Sequence, residues 1–488
     1  MRRLSVIDGI FLRTHQGMGT PIALQGLWRT ADVVDPAQLR RLHEALCAGP
    51  LGRRVVRPRV PGARARWQSN IRAHPLGLGA VVLHPGEILS WADALGTDLD
   101  PRRGPGWRLS AAPLTDGGTI IALTCSHVLA DARGLIIAVE QALWVSTRGD
   151  SHPAPGTTPS PADDPSTPAD PHGDPESDWA DAGETWATVL SGTTRAFRNW
   201  VRWPDLPAGA DNSRPAEADR TRSADGRIAG PAGLAETGTP DSGDVEPAGM
   251  REAGSAGRGP VSRDPADPSG SSVELPVSGV VLRCPTVDWE RIAASRGGTA
   301  NSLFIWLVAN ILWAAGFPER RIVASLPVDT RDEPRIDNDL AMTEIVVDPT
   351  DGPADIRGKS RAAYERRMSS PGGLPEEFLY LVPDRVAYLL SRGAGERDIL
   401  CSNIGVIPPA LHALGPHDCT GVATRAIHPG LTYAGRPRTR ISGYLCRFRD
   451  DYLLTLMSLD PARVSDSTGL HRLAERTAGR VGLPIGPW

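Results

Sequence analysis

Thr119-Ile-Ile-Ala-Leu-Thr-Cys125, Ser126-His127-Val-Leu-Ala-Asp131-Ala132-Arg133-Gly134 and the run from Leu135 to Trp144 follow one another without a break, and their reading decides the fold. The first seven residues are an apolar run of strand length, the middle is a short polar turn, and the last is apolar at helical spacing. Strand, turn and helix place His127 at the strand's end with an aspartate four residues later. Upstream, Trp107–Pro113 reads as a second strand, joined to the first through Asp116-Gly117-Gly118, a hairpin signal. Histidine suits the removal of a hydroxyl or amine proton because its ordinary pKa of about 6.5 lies near neutrality. Two placements are open to Asp131: directly on the imidazolium, or turned away to hold the loop through an arginine. Gly134 is read as letting the backbone enter the helix without a Cβ clash, while Ala130 and Ala132 leave room beside the ring. A lone histidine before a helix is usually a packing or capping residue, and the HxxxD pair by itself favours that reading over a base.

The rest of the chain bounds these readings. At 488 residues it exceeds one ordinary domain. Its net charge of −4 argues against a nucleic-acid binder that works by phosphate neutralisation. The cysteines (Cys47, Cys125, Cys284, Cys401, Cys419 and Cys446) show no CxxC spacing. Several lie in apolar runs, so buried free thiols are expected, with neither disulfides nor a metal site. No signal peptide and no run of eighteen apolar residues is found, and a cytoplasmic chain without a spanning helix is expected.

Composition divides the chain into five segments. Residues 1–148 mix strands and helices. Ser5 followed by Asp8 reads as a capping box, and Asp35 as the N-cap of a helix from Pro36. Residues 149–177 are rich in Pro, Asp, Ser, Gly and Thr and are expected to be disordered. Residues 178–204 form an amphipathic crossover helix carrying Trp179, Trp186 and Trp200. Those tryptophans either pack on the two halves or, with Arg195, Arg198 and Arg202, give a peripheral membrane or lipid-droplet contact. Residues 205–272 are again Ala-, Gly- and Pro-rich and are expected to be disordered. Residues 273–488 carry a long apolar helix over 302–316, a strand over Arg321–Pro327, and a hairpin of Ile441–Phe448 with Tyr452–Leu459 about Asp450-Asp451. Both ordered halves mix strands and helices, so the fold class is α/β or α+β.

The central stretch and its flanks resemble the HHxxxDG, condensation-domain-like superfamily of CoA-dependent acyltransferases, and within it the bacterial wax ester synthase/diacylglycerol acyltransferase group. Leu4-Ser5-Val-Ile-Asp8-Gly-Ile-Phe11-Leu12 is similar to that group's LSxxDxxFL opening. Gly298-Thr-Ala-Asn301-Ser-Leu resembles its GTVNDVL helix start, and Leu326-Pro-Val-Asp-Thr-Arg331 its VPVSLR strand end. Asp337-Asn338 matches its GN turn, and Cys401-Ser402-Asn403-Ile-Gly405-Val-Ile-Pro its SNVPGP segment. The matches keep the group's order and cover nearly all the chain outside 149–177 and 205–272.

The resemblance implies two chloramphenicol-acetyltransferase-like subdomains with an active-site tunnel between them. It implies that His127 is the general base and that Asp131 is a structural partner, for which Arg331 is the candidate; a surface arginine is the other reading of Arg331. Ser126, Ala132, Ser402 and Asn403 would line the substrate, with Asn403 the candidate oxyanion donor. Acyl-CoA and a long-chain alcohol or diacylglycerol are the implied substrates, with no cofactor and no metal. Ser126 stands where the group has its first histidine, and Ala132 where it has glycine. Three functions stay open: an acyl-CoA-dependent O-acyltransferase, a carrier-protein-dependent condensation or polyketide-associated enzyme, and a diverged binding protein.

Overall fold

The structure, a computed structural model, describes residues 2–16, 20–148, 175–201, 273–365, 378–382, 384, 386 and 396–488. Met1–Arg198 and Pro268–Trp488 form one compact unit. The stretches 149–174 and 202–272, which hold nearly all the expected disorder, lie outside the described residues; residues 175–177 open a helix.

Two sheets carry the unit. The first has the order β11-β12-β1-β6-β5-β4, from Ala413–Leu414 (β11), His417–Ile427 (β12), Ala23–Thr30 (β1), Thr119–Ser126 (β6), Trp107–Pro113 (β5) and Gly77–Leu78 (β4). The second has the order β15-β7-β14-β13-β10-β8-β9. Its members are Gly486–Pro487 (β15), Ser278–Pro285 (β7), Asp451–Ser458 (β14), Ile441–Phe448 (β13), Ile399–Val406 (β10), Ile322–Asp329 (β8) and Leu340–Val347 (β9). A small ladder pairs Arg53–Val56 (β2) with Arg66–Ser69 (β3). The helices are Val6–His15 (α1), Pro36–Ala48 (α2), Ile88–Asp93 (α3), Ala132–Arg148 (α4), Pro175–Val201 (α5), Thr286–Ser295 (α6), Ala300–Ala314 (α7), Pro353–Glu365 (α8), Phe378–Leu381 (α9) and Ser467–Gly479 (α10).

Local chemistry accounts for the elements that frame the site. All eight residues of β6 are buried. They alternate, with Ile121, Leu123 and Cys125 packing among α2 and α4 residues, and Ile120 and Ala122 packing on the opposite face with Ile88 and Ala92 of α3. The β5–β6 turn is built by Gly117 at φ 90°, a conformation that glycine adopts without a Cβ clash. The capping box of α1 is complete: Ser5 Oγ accepts from Asp8 N and the Asp8 carboxylate accepts from Ser5 N. Asp35 caps α2, accepting from Ala37 N with Pro36 in the first turn. Helix α7, capped by Thr299, buries residues all round its circumference and forms the centre of the second core. Among the described residues no single helix is long and apolar enough to cross a membrane.

Two findings differ from the sequence reading. Strand β12 was not expected at all, yet it is eleven residues long and belongs by topology to the first sheet although its residues lie beyond 273. It pairs antiparallel with β1 from Ala23↔Ile427 to Thr30↔Cys419, so the boundary at 273 divides the chain but not the sheets. The second difference is the face α5 buries. Trp179 is 68 % and Trp186 49 % exposed, whereas Asp178, Asp181, Ala182, Thr185 and Val189 are buried. Asp178 lies 2.7 Å from Arg3, and Asp181 lies 2.6 Å from Arg64. The helix is therefore anchored by buried acids on arginines; Trp179 points outward, while the half-exposed Trp186 lies against the loop at Gly62. The cysteines are free thiols, all buried except the half-buried Cys47. Burial pushes Cys125, Cys284, Cys419 and Cys446 up to about 12, so they stay protonated at neutral pH.

Candidate active site

β6 ends at Ser126, whose N–H donates to Gly106 O at 2.9 Å, and the chain then turns, with Leu129 N donating to Ser126 O. His127 follows the last strand residue, and its backbone N–H reaches Ile22 O at 3.4 Å. Its imidazole lies 3.7 Å from the Phe11 ring, centroid to centroid, with planes 15° apart. Nδ1 stands 3.1 Å from Asn338 Oδ1. Burial pulls the His127 pKa below the ordinary histidine value; its own carbonyl, Asp131 and Asn338 oppose that shift and do not overcome it.

Asp131 points away from the ring and performs three tasks. Its Oδ1 accepts from Gly134 N at 2.8 Å, which caps α4. Both oxygens lie 2.6 Å from the Arg331 guanidinium, and Oδ2 accepts from Asp339 N at 3.1 Å. Arg331 is 6 % exposed at its side chain and also donates to Arg335 O and Asp337 O, so it stitches its own loop together as well. Of the two readings left open for Arg331, the surface arginine is excluded by this burial.

Gly134 is needed for a different reason from the one expected. It is the third residue of α4 and does not adopt positive φ. A Cβ built on it would lie 2.2 Å from Ile336 O, so the loop 331–339 rests directly on the helix backbone. Ala132, the first residue of α4, is half-buried. Ser126 is 1 % exposed, and its Oγ has no hydrogen-bond partner among the described residues.

Ser402 and Asn403 stand apart from this group. Both lie on β10, and Ser402 pairs with Tyr444 in register. Asn403 Nδ2 donates to Asn301 Oδ1 at 3.1 Å, and Asn301 in turn donates to the Tyr364 hydroxyl. Asn301 and Tyr364 line a crevice of about 370 Å³ between the start of α7 and α8. Among the described residues no hydrogen bond joins Ser402 or Asn403 to His127.

Sequence reasoning missed the groups that hold the site together across the chain. Asn338 Nδ2 lies 2.7 Å from Asp8 Oδ1, 2.9 Å from His127 O and 3.3 Å from Val128 O. Asp8 is fully buried, and burial raises its pKa against the pull of Asn338, Ser5 and Arg53. Arg53 ties Asp337 (2.5 Å) to the backbone oxygen of Leu129 and stacks 3.8 Å over Trp67. The signal was present in part: Asp8, Phe11, Asp337 and Asn338 all fall in the quoted resemblance segments, but apart from the capping box that Asp8 forms with Ser5 nothing local assigns them a role, and nothing local ties any of them to His127. Among the described residues no His, Cys, Asp or Glu cluster has a metal-binding arrangement.

This geometry can hold a neutral imidazole on a rigid support where the two halves meet. No protein-family model matches the chain, and no curated protein matches it by sequence. Solved structures do match it along its whole length. The first condensation domain of the calcium-dependent antibiotic synthetase, in complex with a substrate analogue, aligns at TM-score 0.54 and 16 % identity over 99 % of this chain and 96 % of its own. The starter condensation domain of rhizomide synthetase RzmA, an R148A mutant in complex with C8-CoA, aligns at 0.53 and 11 % identity over 98 % and 94 %. The EpoB cyclization-docking bidomain from Sorangium cellulosum aligns at 0.51 and 14 % identity over 99 % and 85 %. At these identities the likeness is one of fold, and the chain has the mixed α/β, chloramphenicol-acetyltransferase-like fold of the condensation domains.

Proposed function

We propose that this protein is an acyltransferase that moves an acyl group from a thioester to a hydroxyl or amine, with His127 as the base. The observation that carries the reading is the state of His127. It is held by Phe11 and Asn338 and kept less basic than an ordinary histidine, so it is neutral at neutral pH, as a base must be. The imidazole takes the acceptor's proton as the acceptor attacks the thioester carbonyl. The tetrahedral intermediate then collapses, the C–S bond breaks, and the imidazolium returns the proton to the departing thiolate, giving an ester or amide and a free thiol.

The resemblance of the motifs favours a fatty acyl-CoA donor with a long-chain alcohol or diacylglycerol acceptor. A carrier-protein donor is the second reading, favoured by the nonribosomal synthetase origin of the fold neighbours, one of which is nevertheless described with C8-CoA. Both are tested together. The purified protein is given octanoyl-CoA or an octanoyl carrier protein with a panel of alcohols, diacylglycerol and amines, and free thiol is followed with mass-spectrometric detection of the product. Thiol release that requires an acceptor is expected, with His127→Ala slower by about 10²-fold or more. An equal rate in the His127→Ala variant removes the base assignment. Tight acyl-CoA binding without turnover over every acceptor class identifies a binding protein instead.

A further inference from the structure

We propose that Asn338, itself held by Asp8, sets the tautomer of His127 so that the proton sits on Nδ1 and the lone pair on Nε2. The inference rests on His127 being the base and adds what selects its reactive form. A neutral imidazole carries one N–H and one lone pair, and only the nitrogen with the lone pair can accept a proton. The neighbour of the other nitrogen therefore decides which atom is reactive.

The side-chain amide of Asn338 has one end that donates and one that accepts, and its surroundings fix which is which. Its Nδ2 faces three groups with only acceptor capacity there: the Asp8 carboxylate at 2.7 Å and the backbone oxygens of His127 and Val128 at 2.9 and 3.3 Å. Turning the amide over would set its oxygen against all three and lose every one of those hydrogen bonds. The atom 3.1 Å from His127 Nδ1 is thus Oδ1, which can only accept, and Nδ1 must carry the proton. Asp8 is fixed in turn by its capping box, with Ser5 N at 2.9 Å and Asn338 N at 3.3 Å on its two oxygens. Phe11, one turn beyond Asp8 on α1, stacks on the ring and holds its plane.

Three distant pieces of chain meet here: α1, the turn after β6, and the segment entering β9. Asn338 lies 211 residues from His127 and 330 from Asp8. Beside the ring's hydrogen bond to its own carbonyl, the acceptor that selects the tautomer is therefore supplied by a residue from the other half of the chain, and it is in place only when the loop 331–339 is seated on α4. Asn338 is a positioning residue; it acts through His127.

The decisive measurement needs no turnover. Long-range ¹H–¹⁵N spectra of the full-length protein with ¹⁵N-labelled histidine, with His127 assigned from His127→Gln, read the tautomer at neutral pH. The expected result is a protonated Nδ1 and an unprotonated Nε2 in the wild type, becoming a mixture in Asn338→Leu. A proton on Nε2 in the wild type, or an unchanged spectrum in Asn338→Leu, overturns the proposal. Asn338→Ser, smaller and still polar, repeats the comparison if the leucine variant does not fold. In the thiol-release assay Asn338→Leu is expected to lose about 10–10²-fold in kcat with little change in KM. The expected tautomer without turnover in the wild type would sink the functional reading and leave this inference standing. Turnover with a proton on Nε2 would do the reverse.

Discussion

His127 illustrates how burial and hydrogen bonding divide the work of making a base. Burial disfavours the imidazolium and lowers the pKa, while the ring's own carbonyl, Asp131 and Asn338 oppose the shift. A base must be unprotonated, so kcat/KM is expected to rise with pH through a midpoint below the ordinary histidine value and to be flat at neutrality. Acid then removes activity only once the imidazole is protonated. A folded pKa below the unfolded one has the same sign for stability: protonation below about pH 6.5 favours the unfolded chain until the folded pKa is passed. A pH–rate profile on the free enzyme checks the sign, and an ascending limb above 6.5 would place the titrating group elsewhere. His127 was legible in the sequence because its type and its place at a strand end are local facts. Asp8, Phe11 and Asn338 were not, because their roles are contacts made across hundreds of residues. Ser5 and Asp8 could be read as a cap from their spacing, but nothing in the spacing says that the capping carboxylate has a second oxygen committed to Asn338.

At the scale of elements, the start of α4 is one place where the two halves touch, and it holds the departure at Ala132 from the motif that the stretch resembles. Ala132 stands where the group that the motifs resemble has glycine, a residue that often marks close backbone approach. The close approach occurs two residues later, where Ile336 O would stand 2.2 Å from a Cβ on Gly134. Two substitutions separate these positions. Ala132→Gly removes only a helix-favouring methyl from the first turn and is expected to cost about 0.5–1 kcal/mol or less. Gly134→Ala forces the 331–339 loop off the helix, is expected to cost about 1–3 kcal/mol, and removes activity by displacing Asn338. Urea unfolding with the thiol-release assay checks both, and a harmless Gly134→Ala would mean that the loop is free to give. Strand β12 shows the opposite kind of illegibility. Its sequence, His417-Asp-Cys-Thr-Gly-Val-Ala-Thr-Arg-Ala-Ile427, carries an arginine in its interior and no clean alternation. Arg425 is nonetheless 2 % exposed, because Asp93 at 2.8 Å, Gln25 at 2.8 Å and Leu89 O at 3.0 Å satisfy it. A period-two reading cannot recognise a buried strand whose buried charge is neutralised by residues more than three hundred positions away.

For the whole molecule, the exchange of β12 governs how the halves behave. The mixed α/β class and two strand-rich halves could be read from composition and motif order, whereas the exchange depends on pairings that no local pattern encodes. Without β11 and β12 the first sheet would end at β1, leaving a row of unpaired backbone groups along a strand seven of whose eight residues are buried. The first core likewise draws Ile407, Leu411, Leu414, Val422 and Ala426 from the second half of the chain. The Asp131–Arg331 pair adds a buried charge contact between the halves, and removing one partner of such a pair costs about 3–5 kcal/mol because the other charge is stranded. Neither half can therefore unfold while the other keeps its core, despite a chain length at which independent domains are common. A single cooperative transition is expected, with tryptophan fluorescence, far-ultraviolet circular dichroism and calorimetry coinciding. Asp131→Asn should move that one transition to lower denaturant without splitting it, since the charge links the halves and the shared sheet still unites them. Two resolved transitions in the wild type would contradict the shared sheet. Two transitions in Asp131→Asn alone would instead show that the charge pair, and not β12, holds the halves in one cooperative unit.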